Sequence, residues 1–149
     1  MSSKQKKLLL SDFYAGVGGI SLGFEQVGIF ETNYAIDFDK KCSNTYDLNH
    51  TTKLTLCDIN SLDVKQVPKM DVFCAGFNCQ PFSIAGKRKG FCDNRTDSIL
   101  KIFEIIKHHK PLVVFFENVK GLTTHDEGKS MKKIDELLRD AGMKTIFNI

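Results

Sequence analysis

The chain has 149 residues, of which 42% are apolar and 26% charged, with a net charge of +3. That length suffices for one domain with its own hydrophobic core, so we expect a single domain over residues 1–149. The charge is too small to indicate nucleic-acid binding by itself. Only three leucines follow Lys7 before Ser11, too few for a signal peptide or a membrane span. We therefore expect a cytoplasmic protein, or a nuclear one if the source is eukaryotic.

The apolar pattern predicts strands that alternate with helices along the chain. Predicted strands cover residues 8–13, 32–36, 53–56, 72–75, 112–116 and 143–149, and predicted helices cover residues 19–27, 39–49, 99–106 and 131–141. Asp97 is the expected N-cap of the third helix, and the uninterrupted apolar run at 112–116 predicts a strand buried on both faces. This alternation is typical of an α/β fold with a mostly parallel, doubly wound sheet. Ligands of such sheets bind beyond the carboxyl ends of the strands.

A glycine-rich turn follows the first predicted strand. Gly16, Gly18 and Gly19 permit a tight turn and a close approach of a ligand to the backbone. The turn departs from the dinucleotide fingerprint, because Ser21 stands where its third glycine is expected. Taken alone, it could equally be an ordinary connection between a strand and a helix.

Three acids at successive strand ends indicate which kind of ligand the site would bind. Asp12, Asp37 and Asp58 close or follow the first three predicted strands. Acids around a pyrophosphate are unfavourable, whereas they suit a cationic ligand that carries adenosine. S-adenosyl-L-methionine has a sulfonium, an ammonium and an adenosine, so it is the predicted cofactor.

A thiol and a carboxylate follow two later strands. Cys79 lies after the strand at 72–75, and Glu117 directly after the apolar run at 112–116. On neighbouring loops of a parallel sheet, this pair suits covalent chemistry on an electrophilic ring. A buried structural thiol is the alternative for Cys79. The five cysteines form no Cys-x-x-Cys pair and no zinc spacing, so we expect free thiols and no metal.

Three ordered segments together resemble the cytosine-5 DNA methyltransferase family. Residues 14–19 (Tyr-Ala-Gly-Val-Gly-Gly) match its cofactor turn, residues 79–83 (Cys-Gln-Pro-Phe-Ser) its nucleophile loop, and residues 117–119 (Glu-Asn-Val) its acidic segment. The similarity runs from about Leu8 to Ile149. It implies a Rossmann-like class I fold that uses S-adenosyl-L-methionine.

The resemblance assigns roles to individual residues. It implies that Cys79 adds to C6 of a flipped cytosine and that Glu117 binds the N3 edge of that base. The catalytic residues it implies are Cys79, Glu117, Gln80 and Asn118. The cofactor-binding residues it implies are Tyr14, Ala15, Gly16, Val17, Gly18, Gly19, Asp37, Phe38, Asp58, Ile59 and Gly76. The implied nucleic-acid contacts are Ser83, Lys87, Arg88, Lys89 and Arg95, although the basic residues also suit a solvated loop.

The chain also departs from the family pattern. Asn78 stands where the family has proline before the nucleophile, and residues 96–99 (Thr-Asp-Ser-Ile) replace the usual Gly-x-Leu-Phe. The family's target-recognition portion has no counterpart here. We therefore expect a sheet incomplete at its C-terminal edge. The chain is then either half of a split enzyme, completed by a second polypeptide that carries the recognition half, or a fragment that is poorly soluble or inactive alone. The expected substrate is double-stranded DNA. A tRNA cytosine-5 methyltransferase and a non-catalytic remnant that binds cofactor or a partner protein remain alternatives.

Overall fold

The computed structural model describes residues 6–77 and 94–146, without the side chains of residues 94–97. The strands are β1 (Leu8–Phe13), β2 (Phe30–Asp37), β3 (Thr55–Leu56), β4 (Val72–Gly76) and β5 (Val113–Glu117). The helices are α1 (Gly19–Gln26), α2 (Lys40–Asn49), α3 (Asn94–His109) and α4 (Lys129–Asp140). Short 3₁₀ turns cover Ile59–Ser61, Val64–Gln66, Lys120–Thr123 and His125–Gly128.

The strands form one five-stranded sheet in the order β3-β2-β1-β4-β5. The pairs β1/β2, β1/β4 and β2/β3 are parallel, and Phe13 lies beside Ile36 on one side and Ala75 on the other. The predicted α/β fold with a mostly parallel sheet is confirmed. The strand order reverses at β1 and β4, and in open α/β sheets the crevice at this reversal is where ligands bind.

The chain divides into two compact units. The first comprises Met1–Gly76 and Pro111–Phe116, and the second comprises Phe77–Lys110 and Glu117–Ile149. In the first unit, Phe13 of β1 stacks on Phe73 of β4 with ring centroids 4.4 Å apart, and both rings are fully buried. Aromatic packing between the central strand β1 and its neighbour β4 therefore stabilises the centre of the sheet.

Most predicted helix and strand positions are confirmed, and several have visible causes. Asp39 caps α2, since its carboxylate accepts a hydrogen bond from Lys41 N at 2.9 Å. Gly142 follows α4 with a φ of +83°, a conformation that glycine adopts without a steric penalty.

Three sequence predictions are wrong. α3 begins at Asn94, so Asp97 lies inside the helix rather than at its cap. Residues 143–146 form no strand, and residues 147–149 lie outside the described residues. β5 is not buried on both faces: its residues alternate between exposed and half-buried, because it is the edge strand. Apolar content alone does not distinguish a central parallel strand from an apolar edge strand.

Within residues 6–77 and 94–146, no helix combines the length and the apolar character needed to cross a bilayer.

Candidate functional site

The turn after β1 is built from left-handed backbone conformations. Tyr14, Gly16 and Gly18 have φ values of +59°, +55° and +90°. Ala15 N donates to Ile36 O at 3.1 Å, and Gly18 N donates to Ala15 O at 2.8 Å. A non-glycine residue with positive φ is uncommon and persists only where the surroundings impose it. The turn is therefore a fixed structure, anchored to β2.

Asp37 braces this turn from the end of β2. Its Oδ2 accepts a hydrogen bond from Gly16 N at 2.8 Å, and its Oδ1 accepts one from Asp39 N at 2.8 Å. A carboxylate has about four acceptor positions, so two remain for a ligand's hydroxyl groups. Asp37 thus suits both roles, holding the turn and binding a ribose.

Two side chains at the next strand ends are open to solvent. Phe38 follows Asp37 and is 72% exposed, and Asp58 follows β3 and is also exposed. Asp37 and Leu56 are register partners, so Phe38 and Asp58 follow adjacent strand ends. An exposed aromatic ring and a nearby carboxylate suit the face and the amino group of a purine. Ile59, by contrast, is buried, which leaves its backbone rather than its side chain for a ligand.

The turn has space for a ligand. A Cβ atom added at Gly16 or at Gly19 would meet nothing within 4 Å. Val17 between them is exposed, Ala15 is buried, and Gly76 at the end of β4 is half-buried. An adenosine-bearing cofactor fits this arrangement, because the cradle is open, Asp37 has free acceptor positions and Phe38 presents an exposed ring.

The interpretation of Asp12 as a ligand-facing acid is wrong. Asp12 is fully buried in β1, and its Oδ2 accepts hydrogen bonds from Ser21 Oγ at 2.6 Å and Ser21 N at 3.3 Å. Its Oδ1 has no hydrogen-bond partner among the described residues. Burial raises the pKa of Asp12 to about 6, and the Ser21 bonds oppose that rise. Asp12 therefore fixes the start of α1, which follows the turn, rather than binding a ligand.

The second unit holds the segment after β5. Glu117 is the last residue of β5 and is exposed. Asn118 Nδ2 donates to Phe77 O at 2.5 Å, and Asn118 Oδ1 accepts from Val119 N at 2.9 Å. Phe77 immediately precedes the segment that contains Cys79. Asn118 therefore ties the start of that segment to the end of β5, which is a positioning contact.

The remaining predicted site residues cannot be placed. Outside the described residues lie Asn78, the side chain of Arg95 and six predicted site residues: Cys79, Gln80, Ser83, Lys87, Arg88 and Lys89. No group of three or more His, Cys, Asp or Glu side chains suited to a metal ion occurs in the part of the chain that the structure describes.

Sequence reasoning missed two residues beneath the turn. The sequence pattern marks Ser21 only as the residue that stands in place of a third glycine, but it is the hydrogen-bond partner of the buried Asp12. His50, at the end of α2, is 7% exposed and lies against Gly18. Nothing in the local pattern indicates the His50 contact, because it joins positions 32 residues apart in the chain.

Comparison with known proteins identifies the family. The family model for C-5 cytosine-specific DNA methylases matches residues 9–149. The chain belongs to this family. It is 46% identical over 143 residues to the type II methyltransferase M.Bsp6I of Bacillus sp. (strain RFL6) and 41% identical over 138 residues to the type II methyltransferase M.NgoBI of Neisseria gonorrhoeae.

A solved methyltransferase structure supports the fold of this family member. The Dnmt2 methyltransferase of S. pombe is 27% identical, with a TM-score of 0.74 over 90% of this chain and 42% of that one. The matches to M.Bsp6I and M.NgoBI cover 95% and 93% of this chain but 45% and 43% of those proteins. The chain thus spans less than half the length of the relatives it matches.

Proposed function

We propose that the chain is the catalytic portion of a DNA (cytosine-5-)-methyltransferase. It would transfer a methyl group from S-adenosyl-L-methionine to C5 of cytosine in double-stranded DNA. The observation that carries this proposal is the turn at residues 14–19, which has an open cradle, is braced by Asp37 and lies at the strand-order reversal. Membership of the C-5 cytosine family supports the choice of base and atom.

The cofactor is held by residues of the first unit in this proposal. Asp37 accepts from the ribose hydroxyls, Phe38 packs on the adenine ring, and Asp58 accepts from its exocyclic amine. The backbone of residues 14–19 and Gly76 lines the rest of the site, and Ile59 contributes its main chain. When bound, S-adenosyl-L-methionine supplies an electrophilic methyl group on a sulfonium.

The chemistry requires a nucleophile and an acid, because C5 of cytosine is a poor nucleophile in the free base. The Cys79 thiolate forms a bond to C6, and Glu117 hydrogen-bonds the N3 edge and stabilises the ring protonated there, which balances the charge that the thiolate brings. The electron pair at C5 would then take the methyl group, and the sulfonium would leave as a neutral thioether. Loss of the C5 proton and cleavage of the sulfur–C6 bond restore the ring and free Cys79. Gln80 and Asn118 complete the proposed catalytic set, and Asn118 bonds the backbone of Phe77, which precedes the segment that carries Cys79.

The nucleic-acid contacts belong to the same proposal. Ser83, Lys87, Arg88, Lys89 and Arg95 follow Cys79 along the chain and would contact phosphates beside the flipped base. The relatives are named type II methyltransferases, which favours a role in restriction–modification. Target recognition would come from a further portion, and a second polypeptide is our proposed source of it.

A mechanism-based trap tests the proposal in one experiment. Duplex DNA with 5-fluorocytosine at the target position should form a stable covalent adduct with the full protein and its recognition partner. Fluorine cannot leave as the proton does, so the sulfur–C6 bond persists after methyl transfer. The adduct should require S-adenosyl-L-methionine and should not form with S-adenosylhomocysteine, which lacks the methyl group.

Variants and substrates complete the design. Cys79→Ala should give no adduct, while Cys42→Ala, on α2, should give as much as the wild-type protein. An adduct that forms with 5-fluorocytosine tRNA but not with DNA would replace the proposal by the tRNA alternative. Cofactor binding without an adduct on either nucleic acid would support the non-catalytic alternative.

A further inference from the structure

His50 is a buried imidazole for which the proposed chemistry has no use. It follows the last residue of α2, and its backbone N donates to Tyr46 O at 3.0 Å. Its ring stacks on the ring of Tyr46, with centroids 4.2 Å apart and an interplanar angle of 21°. Only 1% of the His50 side chain is exposed. The ring therefore has little freedom to move aside.

The His50 ring fills the space beneath Gly18. A Cβ atom added at Gly18 would overlap His50 Nε2 and would lie 2.7 Å from Cδ2 and 2.9 Å from Cε1. Non-bonded contacts this short are essentially never made by Cβ atoms, so one of the two residues would have to shift. Gly16 and Gly19, in the same turn, have open space at the corresponding point. The close contact is thus particular to Gly18.

The same ring reaches the other end of α1. His50 Nδ1 lies 3.4 Å from Oε2 of Glu25, and Glu25 Oε1 accepts from Thr32 N at 3.4 Å. Gly18 is the N-cap of α1, and Glu25 lies in its last turn. His50 therefore contacts both ends of α1 and connects that helix to α2.

Charged and titratable groups face His50 from each neighbouring element. These groups are Asp12 on β1, Glu25 on α1 and Tyr46 on α2. A positive charge on His50 lowers the pKa of Asp12, a smaller effect than the rise due to burial. His50 Nε2 has no hydrogen-bond partner among the described residues. A buried polar atom without a partner is costly, so hydrogen bonding at Nε2 does not account for the position of the ring, whereas its packing against Gly18 and Tyr46 does.

We propose that His50 is a positioning residue for the cofactor turn. Its ring fixes the position of the Gly18 backbone, and thereby sets the affinity for S-adenosyl-L-methionine without touching the cofactor. This inference rests on the proposed function, because it requires the turn to be the cofactor site. The physical reason is preorganisation. A turn held in its binding conformation before the ligand arrives loses less entropy when the ligand binds.

A double-mutant cycle between positions 18 and 50 tests the inference. Cofactor dissociation constants, turnover at saturating cofactor and melting temperatures would be measured on the full protein for the wild type, Gly18→Ala, His50→Ala and the combined variant. His50→Ala should weaken cofactor binding by about tenfold, with turnover changed by less than about twofold. Gly18→Ala should weaken binding by about a hundredfold, since it adds the clash to the strain of a positive φ.

The combined variant decides the matter. Without the ring, the added methyl group has room, so the combined variant should bind cofactor about tenfold more tightly than Gly18→Ala alone. The inference would be overturned if the two changes in binding free energy simply added in the combined variant. It would also be overturned if His50→Ala lowered turnover and left the affinity unchanged. Asn49→Ala, next to His50 on the exposed end of α2, is the matched control and should bind as the wild type does.

Three further outcomes are informative. If His50→Ala does not fold, the cycle is repeated with His50→Asn, whose shorter side chain also vacates the space below Gly18. If the wild-type protein binds no S-adenosyl-L-methionine, the proposed function fails and this inference fails with it. If the wild type binds and the cycle is additive, only this inference fails.

Discussion

β1 and β5 both end in a predicted functional segment, but their surroundings differ. β1 lies in the middle of the sheet, and its last four residues are buried. The turn after it rests on Asp12, Ser21 and His50, all of them buried. β5 is the edge strand, and Glu117 at its end is exposed. Asn118, half-buried, provides that segment's hydrogen bond to Phe77.

This difference separates two requirements of the proposed function. A cofactor site must hold its shape before the ligand arrives, so it benefits from a buried, well-packed support. A segment that meets a flipped base must be reachable from solvent, so it is supported by fewer buried contacts. Substitutions below the β1 turn should therefore affect stability and cofactor affinity together. Substitutions after β5 should affect turnover with little effect on either.

The largest contrast is expected between two phenylalanines. Phe13 of β1 is fully buried and stacked on Phe73, so Phe13→Ala should lower the free energy of unfolding by about 3–5 kcal/mol. Phe115 of β5 is 40% exposed and meets Phe24 edge-on at 5.4 Å, so Phe115→Ala should cost about 1 kcal/mol. Denaturant unfolding of the full protein measures both changes. Equal losses for the two variants would remove the distinction between the strands.

A pH-dependent effect of intermediate size is expected from Asp12. Its pKa is about 6 in the folded chain, raised by burial from an ordinary value of 3.8. A raised folded-state pKa stabilises the fold below the unfolded-state value, and that stabilisation is lost as pH rises through 6. The loss corresponds to about 3 kcal/mol between pH 4 and pH 8.

Asp12→Asn should remove this contribution, because the amide cannot ionise while its oxygen can still accept from Ser21. As pH rises through 6, the wild type should therefore lose unfolding free energy that the variant keeps, so the stability of the variant rises relative to that of the wild type. Asp63→Asn, at an exposed carboxylate, is the control and should leave the pH profile parallel to that of the wild type. A parallel profile for Asp12→Asn itself would mean that Asp12 ionises as an ordinary surface carboxylate does.

The sequence predicts the central sheet better than its edge, for a physical reason. The alternation of strands and helices is a local signal, and the structure follows it. The exposure of β5 depends on strand order, which its own five residues do not encode. The same holds next to the turn: the acids at three successive strand ends predict that Asp12 faces a ligand, and nothing in the sequence marks Ser21 as its partner. His50 was missed because its contact with Gly18 exists only after folding.

The smallest effect on stability, and the most selective effect on function, is expected at Asn118. Asn118→Ala removes the acceptor for the exposed Val119 N and the donor to Phe77 O, without placing a charge beside that carbonyl. Losing the bond to Phe77 O should cost about 1 kcal/mol and lower turnover about fivefold to tenfold, since Phe77 precedes the segment that carries Cys79. The dissociation constant for S-adenosyl-L-methionine should stay within about twofold of the wild-type value, because the first unit holds the proposed cofactor residues. Single-turnover kinetics and calorimetry on the same preparation separate the two quantities. A parallel loss of cofactor affinity would show that the segment after β5 also supports the cofactor site, and the division of roles between the two strand ends would then be wrong.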